Sequence, residues 1–400
     1  MEFKRYKLGE FIESVSDTTQ ILKDKVVLIN TSDVENGYVI NHTYTLNKNL
    51  KGQFKKRFKK GDILYSEIRP RNRRFAYVDF ESDDYIASTK LMVLRNKGNI
   101  DNEFLFQLLK SNEVIEYLQL LAESRSGTFP QITFNELANT VVSIPSMENQ
   151  QKISRILTII DNKIRYNTHT NDNLFELTKQ LYKRWFIEFE FPNKDGNPYK
   201  ASNGKMVESE LGLIPENWCI KRLDEISVNF DSKRKPLSSK DREERKGNIP
   251  YYGATSIIDY VNEYIFDDIF VLMGEDGSVI NSDNTPVLQY IWKKCWINNH
   301  AHVLQGKGIS TEHLMECLRA TDVSSIITGA VQLKINQANM NALKYVYATE
   351  ETNRDFDEKI SKIYEKIRAN IEQNEILEQL RDTLLPKLMN GEIDLDKIEI

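Results

Sequence analysis

The sequence predicts an α+β protein in which two strand-rich domains are each followed by a long helix, so that the whole arrangement is internally duplicated. Three observations predict this fold class. A helical pattern of apolar and Asn residues recurs after 203 residues. Roughly 140 residues with short β-branched and aromatic runs precede each copy of that pattern. A segment rich in Pro and Gly separates the two halves.

Composition sets the general class of protein. The 400 residues include 54 Lys and Arg against 59 Asp and Glu, and 40% of the chain is hydrophobic, which predicts two or three globular domains. No run approaches the ~20 apolar residues of a membrane span, and residues 1–9 have no apolar signal region. Three cysteines without CxxC spacing argue against disulfides and a thiolate metal site. We therefore expect a cytoplasmic protein without a membrane partner.

The first domain is assigned to residues 1–147 and the central helix to residues 148–191. Residues 26–30, 37–40, 62–65, 75–78 and 90–94 of the domain favour strands, and residues 103–123 favour a helix. Residues 192–216 have linker composition. The second domain, residues 217–350, contains predicted strands at 264–272, 287–292 and 302–304 and a predicted helix at 311–320. The C-terminal helix covers residues 351–390, and residues 391–400 form a tail.

Both long helices carry apolar or Asn residues at alternating steps of three and four, which is typical of a coiled coil. In the central helix these seam residues include Ile153, Ile160, Ile164, Asn167, Asn171 and Leu174. Their counterparts, 203 residues later, are Phe356, Ile363, Ile367, Asn370, Asn374 and Leu377. Because neither seam is stable in water alone, we expect the helices to pair, with the Asn residues fixing register. The alternative is that each helix packs only on its own domain.

Basic residues are concentrated in one part of the first domain. Between Lys48 and Arg74 there are 11 Lys and Arg and only two acids, with aromatic residues between them. The members that we select as candidate contacts are Lys55, Lys56, Arg57, Lys59, Lys60, Arg69, Arg71, Arg73 and Arg74. Such a stretch favours a polyanion, and Arg matches phosphates and guanine edges. The alternative is a solvated face of a hairpin.

The second domain has a weaker candidate surface. Its basic cluster is Lys233, Arg234 and Lys235, and its polar turn contains Asn298, Asn299 and His300. These turn residues could read base edges or merely cap a loop, and the sequence does not decide between the two.

The residues give little support for catalysis. There is no GxxxxGK[ST] loop and no GxGxxG after a strand. His300 and His302 lack nearby ligands at metal spacing, so we predict no metal site. The segment Asn-Ile-Pro-Tyr at residues 248–251 is similar to an adenine methyltransferase motif, but Ile249 replaces a proline and no cofactor loop accompanies it.

Several segments together resemble the specificity subunits of type I restriction-modification systems. They are residues 61–70 (GDILYSEIRP), 251–254 (YYGA), 274–277 (GEDG), 298–304 (NNHAHVL) and 384–393 (LLPKLMNGEI). The resemblance spans nearly the whole chain, in the order expected for a duplicated frame. From these segments we add Ser66, Tyr251, Tyr252, Gly274 and Glu275 to the candidate DNA contacts.

The resemblance implies a function for each part of the chain. Each globular domain would be a target recognition domain that reads one half of a split, asymmetric duplex site, and the helices would form an antiparallel coiled coil. Two modification subunits would dock on the helices and carry S-adenosylmethionine and the adenine-N6 chemistry, and restriction subunits would complete the complex. This chain would bind no cofactor and be non-catalytic.

Three alternatives remain open at the level of sequence. One is the specificity subunit of a related system in which one partner chain both cleaves and methylates, since that difference lies in the partner. A second is a coiled-coil scaffold without DNA recognition, which the basic stretch disfavours. A third is a stand-alone modification enzyme, which the missing cofactor loop disfavours.

Overall fold

The computed structural model describes residues 2–124, 130–329, 332–393 and 395, so part of the predicted tail at 391–400 lies outside the described residues. The chain divides into two compact units. Unit 1 contains Met1–Tyr166 and Gln373–Ile400, and unit 2 contains Asn167–Glu372. Each unit therefore includes one globular domain and part of both long helices. Within the described ranges, no helix is long and apolar enough to cross a membrane.

The described residues of unit 1 form twelve strands and three short α-helices before the first long helix begins. The strands are β1 (Lys4–Lys7), β2 (Ile12–Val15), β3 (Lys25–Ile29), β4 (Val34–Glu35), β5 (Tyr38–Val39), β6 (Tyr44–Leu46), β7 (Phe54–Lys56), β8 (Ile63–Ser66), β9 (Phe75–Tyr77), β10 (Tyr85–Ser88), β11 (Leu91–Asn96) and β12 (Val141–Ile144). The helices are α1 (Asn102–Leu109), α2 (Asn112–Glu123) and α3 (Phe134–Asn139).

Two four-stranded sheets organise the domain of unit 1. Their strand orders are β2-β11-β8-β9 and β6-β3-β10-β7, and β1 pairs separately with β12. Strands β8 and β11 are buried on both faces in their central parts, which explains their continuous apolar runs. The first strand of the domain therefore lies beside its last.

The predicted single helix at 103–123 is wrong, because the structure contains two helices there. Helix α1 ends before Lys110, and the Ser111 side chain caps the N-terminus of α2 by accepting the backbone N–H of Val114. A serine that competes for backbone donors favours a helix start rather than a helix interior. The apolar periodicity continues across the break, which is why pattern alone missed it.

Unit 2 contains the strands and helices that follow the central helix. The strands are β13 (Met206–Ser209), β14 (Gly212–Pro215), β15 (Cys219–Arg222), β16 (Ser227–Asn229), β17 (Lys246–Tyr252), β18 (Ile257–Val261), β19 (Phe270–Gly274), β20 (Leu288–Ile291), β21 (Trp296–Ile297), β22 (Ala301–Gly306) and β23 (Lys344–Tyr347). The helices are α5 (Leu223–Ile226), α6 (Ser239–Glu244), α7 (Thr311–Arg319) and α8 (Gln337–Asn341). The long helices are α4 (Met147–Tyr182) and α9 (Glu350–Met389).

The main sheet of unit 2 has the strand order β16-β22-β19-β20, which matches β2-β11-β8-β9 in chain order and in strand direction. Strand β15 pairs antiparallel with β23, as β1 pairs with β12. In both units a parallel strand pair also lies in a second sheet, β3 with β10 and β17 with β21. The strand order of the main sheet is thus present twice, whereas the second sheet has four strands in unit 1 and three in unit 2.

The predicted strand at 264–272 is too long at its N-terminal end. Strand β19 begins at Phe270, and the preceding residues make only an isolated bridge between Phe266 and Cys295. The adjacent acids Asp267 and Asp268 are exposed in a bend. Two neighbouring carboxylates are poorly accommodated in a buried strand, so the strand starts after them.

The long helices end at defined residues. The α-helical hydrogen-bonding pattern of α4 ends at Tyr182, and one π-helical turn follows at Lys183–Ile187. Phe189 then takes a positive φ of 62°. Helix α9 ends at Met389, and Gly391 has a φ of 80°. Glycine reaches this left-handed region without steric cost, which makes it a good helix terminator.

The seam residues of both helices face protein rather than solvent. Buried members are Ile153, Ile160, Asn167, Asn171, Phe356, Ile367 and Asn370, and half-buried members are Ile164, Leu174, Ile363, Asn374 and Leu377. The neighbouring repeat positions Leu177 and Leu380, by contrast, are 50% and 44% exposed. The apolar surface of the helix pair is therefore not fully covered.

Within unit 2 the two helices meet through buried amides. Asn370 Nδ2 donates to Asn171 Oδ1 at 2.8 Å, and Asn171 Nδ2 donates to the Ile367 carbonyl oxygen at 3.2 Å. The rings of Phe175 and Tyr364 lie 6.0 Å apart. Increasing residue numbers on α4 thus meet decreasing numbers on α9, which means that the helices run antiparallel in this unit.

The same direction holds within unit 1. Asn374 Nδ2 donates to the Ile164 carbonyl oxygen at 3.5 Å, and Arg381 contacts Asp161 at 3.2 Å. The apolar core of this unit combines Ile153 of α4 with residues of α9 and of the domain.

The segment predicted as a linker, residues 192–216, has structure of its own. It contains the hairpin β13–β14, and Phe191 stacks on both Tyr199 and Trp218 with centroid distances of 4.6 and 4.7 Å. This aromatic cluster joins the core of unit 2 through Phe186. The Pro- and Gly-rich composition therefore belongs to a segment that is ordered in the structure.

The paired amides of the seam make a prediction about stability. Replacing Asn370→Leu leaves the buried Oδ1 of Asn171 without its donor and should lower the free energy of unfolding by about 1–3 kcal/mol. The double variant Asn171→Leu/Asn370→Leu removes both polar groups and should recover most of that loss. Urea denaturation followed by circular dichroism measures both, and a double variant as unstable as the sum of the single variants would contradict this pairing.

Candidate nucleic-acid interface

The basic stretch of unit 1 provides exposed lysines on an edge strand and its following turn. Lys55 lies on β7, an edge strand of its sheet, and Lys59 follows in the turn before β8. Both side chains are exposed, and among the described residues neither has an acidic partner within ion-pair distance. Their charges are available to an external anion.

Two arginines of the stretch are held by acids of the same unit. Arg71 forms a fork with Glu116 on α2, in which Nε and Oε2 are 2.9 Å apart, and it also reaches Glu123 at 3.5 Å. Arg74 contacts Glu35 at 3.4 Å. All these groups are partly exposed, and exposed ion pairs contribute only ~0–1 kcal/mol, so such cations can change partner at low cost.

Two lysines of the stretch differ sharply in their environment. Lys56 is half-buried, and its Nζ donates to the carbonyl oxygens of Thr89 and Leu91 at 3.0 and 2.8 Å. Burial lowers the pKa of Lys56. Lys60 is exposed and lies 3.6 Å from the exposed Glu81. Lys56 therefore supports the sheet, whereas Lys60 is accessible.

Arg69 and Arg73 lie on either side of a short 3-10 turn, Pro70–Asn72. Their φ angles are 45° and 51°, which lie in the left-handed region that L-residues rarely adopt. Arg73 donates to the side-chain oxygen of Asn112 at the start of α2. Backbone strain of this kind is stored mainly in binding loops and active sites.

Two other predicted contacts have structural roles. Ser66 is buried, and its Oγ accepts the backbone N–H of Ile68 at 3.0 Å, which shapes the turn after β8. Arg57 is half-buried, and its backbone N–H donates to the Asp17 carbonyl oxygen at 2.7 Å. Neither side chain is among the more accessible groups of this surface.

In unit 2, Arg234 is part of a nearly buried ion-pair network. Its Nη1 lies 2.7 Å from Glu275 Oε2 and 2.6 Å from the Ala301 carbonyl oxygen, and its Nη2 lies 3.4 Å from Asp231. Burial raises the pKa of Glu275, but the hydrogen bond from Arg234 and the nearby positive charges outweigh it, so the pKa is lowered. Arg234 and Glu275 thus hold the turn after β19 to the start of β22.

His302 completes the same network from inside the sheet. Its ring is 1% exposed, with Nδ1 2.6 Å from Asp231 Oδ2 and Nε2 2.8 Å from the Ile335 carbonyl oxygen. Burial raises the pKa of Asp231, but hydrogen bonding and attraction by His302 outweigh it, so the pKa is lowered. His302 is a structural residue of the core.

Ligand atoms of Asp231, Glu275 and His302 lie within 4.8 Å of one another, a spacing that could hold a metal ion. Positive charge is already supplied to these carboxylates by Arg234 and by Lys334, which lies 3.3 Å from Glu275. An ion-pair network accounts for the cluster without a metal ion.

The polar turn before β22 is organised by hydrogen bonds. Asn298 is buried, and its Oδ1 accepts the backbone N–H of His300 at 2.8 Å. The ring Nδ1 of the exposed His300 lies 2.6 Å from Asp276 Oδ1. Asn299, between Asn298 and His300 in the sequence, is also exposed. Asn298 therefore shapes the turn, and Asn299 and His300 are its accessible side chains.

The remaining predicted residues of unit 2 are divided between core and surface. Tyr251 is 1% exposed and its hydroxyl accepts the backbone N–H of Leu237, while Gly274 is a buried strand end. Tyr252 is half-buried. Lys233 and Lys235 are exposed, and Lys233 lies over the Phe230 ring at 4.8 Å.

Sequence reasoning missed Asp231 and Lys334 as partners of this surface. Asp231 lies two residues before the basic cluster, and such an acid beside Lys233–Lys235 was an available signal for ion pairing. Lys334 is distant in sequence from Glu275, and only the bridge between Asp276 and Lys334 brings it there. No local pattern could have identified it.

Comparison with known proteins gives consistent findings. The family model described as "Type I restriction modification DNA specificity domain" matches residues 1–176 and 215–382. The chain is 30% identical to the type I restriction enzyme HindI specificity subunit of Haemophilus influenzae, over 98% of this chain and 100% of that protein. It is 25% identical to the MjaIX specificity subunit of Methanocaldococcus jannaschii, over 85% and 79% of the two chains.

A solved structure has a similar fold. The type I restriction-modification S subunit from M. genitalium matches with a TM-score of 0.57 and 15% identity, over 97% of this chain and 96% of that chain.

The ion-pair network of unit 2 predicts that the neighbouring residues Arg234 and Lys235 contribute very differently to stability. Arg234→Ala removes the nearly buried guanidinium that pairs with both Glu275 and Asp231 and should lower the free energy of unfolding by about 3 kcal/mol. Lys235→Ala changes an exposed side chain and should alter it by less than ~0.5 kcal/mol. Thermal unfolding of both variants provides the measurement, and equal losses would show that Arg234 carries no special structural role.

Proposed function

The chain belongs to the family of type I restriction-modification specificity subunits, and from that membership we propose that each globular domain reads one half of a bipartite, asymmetric duplex site. Members of this family are DNA-recognition subunits and are not themselves catalytic. The proposal concerns how this chain divides that recognition between its two domains.

The observation that carries the proposal is the repeated sheet topology. Strands β2-β11-β8-β9 and β16-β22-β19-β20 have the same order, and in each unit the turn after the sheet's second strand in chain order, β8 or β19, bears predicted contacts. A duplicated domain offers the same kind of surface twice. Different side chains on those surfaces would read different bases, which gives an asymmetric site.

For the first half-site we propose phosphate contacts from exposed cations of unit 1. Lys55 and Lys59 have available charges, and Lys60 and Arg71 are held only by exposed acids. Phosphate contacts fix position and register without carrying sequence information. Arg69, Arg73 and Arg74 lie around the strained turn after β8, where their guanidinium groups are suited to guanine edges or phosphates.

For the second half-site we propose the turn before β22 and the basic cluster after β16. Asn299 and His300 are exposed and polar, and Lys233 and Lys235 lie nearby in the same domain. Asn pairs well with adenine edges, and His300 can donate or accept with its free ring nitrogen. Tyr251, Gly274, Asn298 and Arg234 support this surface from within rather than touching DNA.

We propose that α4 and α9 form an antiparallel coiled coil whose length sets the unread gap between the half-sites. The buried Asn171 and Asn370 pair supports a fixed register, because polar groups at seam positions penalise shifted pairings. Two reading surfaces on one duplex must also lie at a spacing compatible with its helical repeat of ~34 Å.

Exposed apolar residues on the long helices support docking of partner subunits. Within unit 1, Ile159, Tyr166, Ile376 and Leu380 are 59%, 66%, 65% and 44% exposed. Exposed apolar patches on proteins mark interaction sites. We propose two modification subunits there, carrying S-adenosylmethionine and methylating adenine N6, with restriction subunits completing a cytoplasmic complex.

A methylation map tests the proposed function directly. A methylation-free host should carry this chain with its modification subunit, and a second strain should carry that subunit alone. Single-molecule sequencing should find N6-methyladenine at a split, asymmetric motif only in the first strain. No motif in the first strain, with both proteins expressed and assembled, would contradict the proposal.

The exposed lysines make a prediction about salt dependence. In the assembled complex, Lys55→Ala/Lys59→Ala should reduce the slope of log K against log salt by about 1.8, because each phosphate contact contributes ~0.9. The half-site recognised should stay the same. Lys362→Ala serves as the matched control, since Lys362 is exposed on α9 beside Glu358. A double variant with an unchanged slope would remove these lysines from the interface.

A further inference from the structure

A single carboxylate joins three helices within unit 1. Asp161 lies on α4, and 13% of its side chain is exposed. Its Oδ2 accepts from Lys110 Nζ at 2.5 Å and from Gln107 Nε2 at 2.9 Å, and its Oδ1 accepts from Arg381 Nη1 at 3.2 Å. Gln107 and Lys110 lie at the end of α1, and Arg381 lies on α9. Asp161 therefore connects the domain to both long helices.

The charges at this junction depend on one another. Burial raises the pKa of Asp161, but attraction by Lys110 and hydrogen bonds from Lys110 and Gln107 outweigh it, so the pKa is lowered. Burial lowers the pKa of Lys110, and Asp161 opposes that change only in part. Both pKa values are thus lowered, which favours the charged form of Asp161 but disfavours the charged form of Lys110. The reason is that Asp161 has several donors, whereas Lys110 is hydrogen-bonded to one carboxylate.

A second carboxylate joins the corresponding elements within unit 2. Glu316 on α7 is 1% exposed, and its Oε1 accepts from Tyr364 on α9 at 2.6 Å and from Thr178 on α4 at 2.9 Å. Arg319, one helical turn later, also donates to it at 2.9 Å. Both long helices and the domain helix again meet at one acid.

The two junctions occupy equivalent places in the repeated sequence. Helices α1 and α7 start after the N-cap residues Asp101 and Ser310, which lie 209 residues apart. That offset aligns Gln107 with Glu316 and Lys110 with Arg319, and the 203-residue helix repeat aligns Asp161 with Tyr364 and Thr178 with Arg381. The same four places form both junctions, although the acid lies on a long helix in unit 1 and on the domain helix in unit 2.

The acid and its donors thus occupy different members of the same four positions in the two units. What the two junctions share is that one largely buried carboxylate holds the domain helix against both long helices. Apolar packing between helices tolerates small shifts, but a carboxylate with three donors satisfies all of them in one arrangement only. A buried ion pair contributes little net stability compared with apolar packing, and its best-attested use is to fix register.

We infer that Asp161 and Glu316 are positioning residues that fix each recognition domain on the helix pair, and thereby fix the number of base pairs that separates the two half-sites. This inference rests on the proposed function. It assigns no base contact to either residue, because both act through the helices that they join.

The test measures spacer length as well as stability. The complex is assembled with Asp161→Asn and presented with plasmids that carry both half-sites at the natural spacing and at one base pair more or less. The ratio of methylation at natural to shifted spacing should fall by about tenfold, which corresponds to ~1.4 kcal/mol. An unchanged ratio would overturn the inference.

A matched control separates positioning from general destabilisation. Asp62 is a 1%-exposed carboxylate inside the same domain that accepts from Arg95 at 2.8 Å through both oxygens. Asp62→Asn should lower the melting temperature comparably but leave the spacer ratio unchanged. An equal fall in both variants would overturn the inference. If the wild-type complex shows no bipartite motif at all, the proposed function itself has failed.

A second variant keeps the test decisive if Asp161→Asn does not fold. Asp161→Tyr combined with Gln107→Glu reproduces in unit 1 the arrangement of Tyr364 and Glu316 in unit 2. The double variant should fold and keep the natural spacer ratio, whereas Asp161→Tyr alone should lose it. A double variant that folds with a relaxed ratio would contradict the positioning role.

Discussion

The pairing of the two long helices is the constraint on which both units depend. Each unit contains part of α4 and part of α9, and each core combines seam residues with residues of the domain. In unit 1 Ile153 and Leu388 share a core with Leu118 of α2, and in unit 2 Phe356 shares one with Leu314 of α7. Each core contains residues of both helices, so we expect folding of the domains to be coupled to pairing of the helices.

The sequence predicted the features that depend on periodicity and missed those that depend on tertiary contacts. Seam residues recur every three or four positions from Ile153 to Leu174 and again from Phe356 to Leu377. This spacing predicted a long helix in each of the two regions. The break at Ser111 was missed because apolar periodicity continues through it. The role of Arg234 was missed because the sequence shows its charge but not its partner Glu275, which only folding brings near it. Residue type does not reveal exposure. Tyr251 and Lys56 were both predicted to contact DNA, but Tyr251 is buried and the Lys56 amine donates to a backbone carbonyl oxygen.

The charges of the free chain also change how its basic stretch should be understood. Arg71, Arg74 and Lys60 have acidic partners before any ligand arrives, so their local field is weaker than the sequence count implies. The proposed binding of DNA would then exchange one partner of each cation for another instead of neutralising an unpaired charge. The released acids, such as Glu116 on α2, would repel a phosphate placed slightly out of position. Such ion pairs would therefore increase the specificity of DNA placement more than the affinity for DNA.

Strand β1 lies beside β12, and β15 lies beside β23, so the chain enters and leaves each domain at neighbouring strands. A domain tethered at one place behaves as a cassette. Recombination at the two flanking strands would replace everything between them and leave the long helices intact. A single genetic exchange would then give a new half-site, and the gap would stay the same where the incoming domain kept its junction with the helices. New specificities would arise by shuffling whole domains, faster than by accumulating point substitutions.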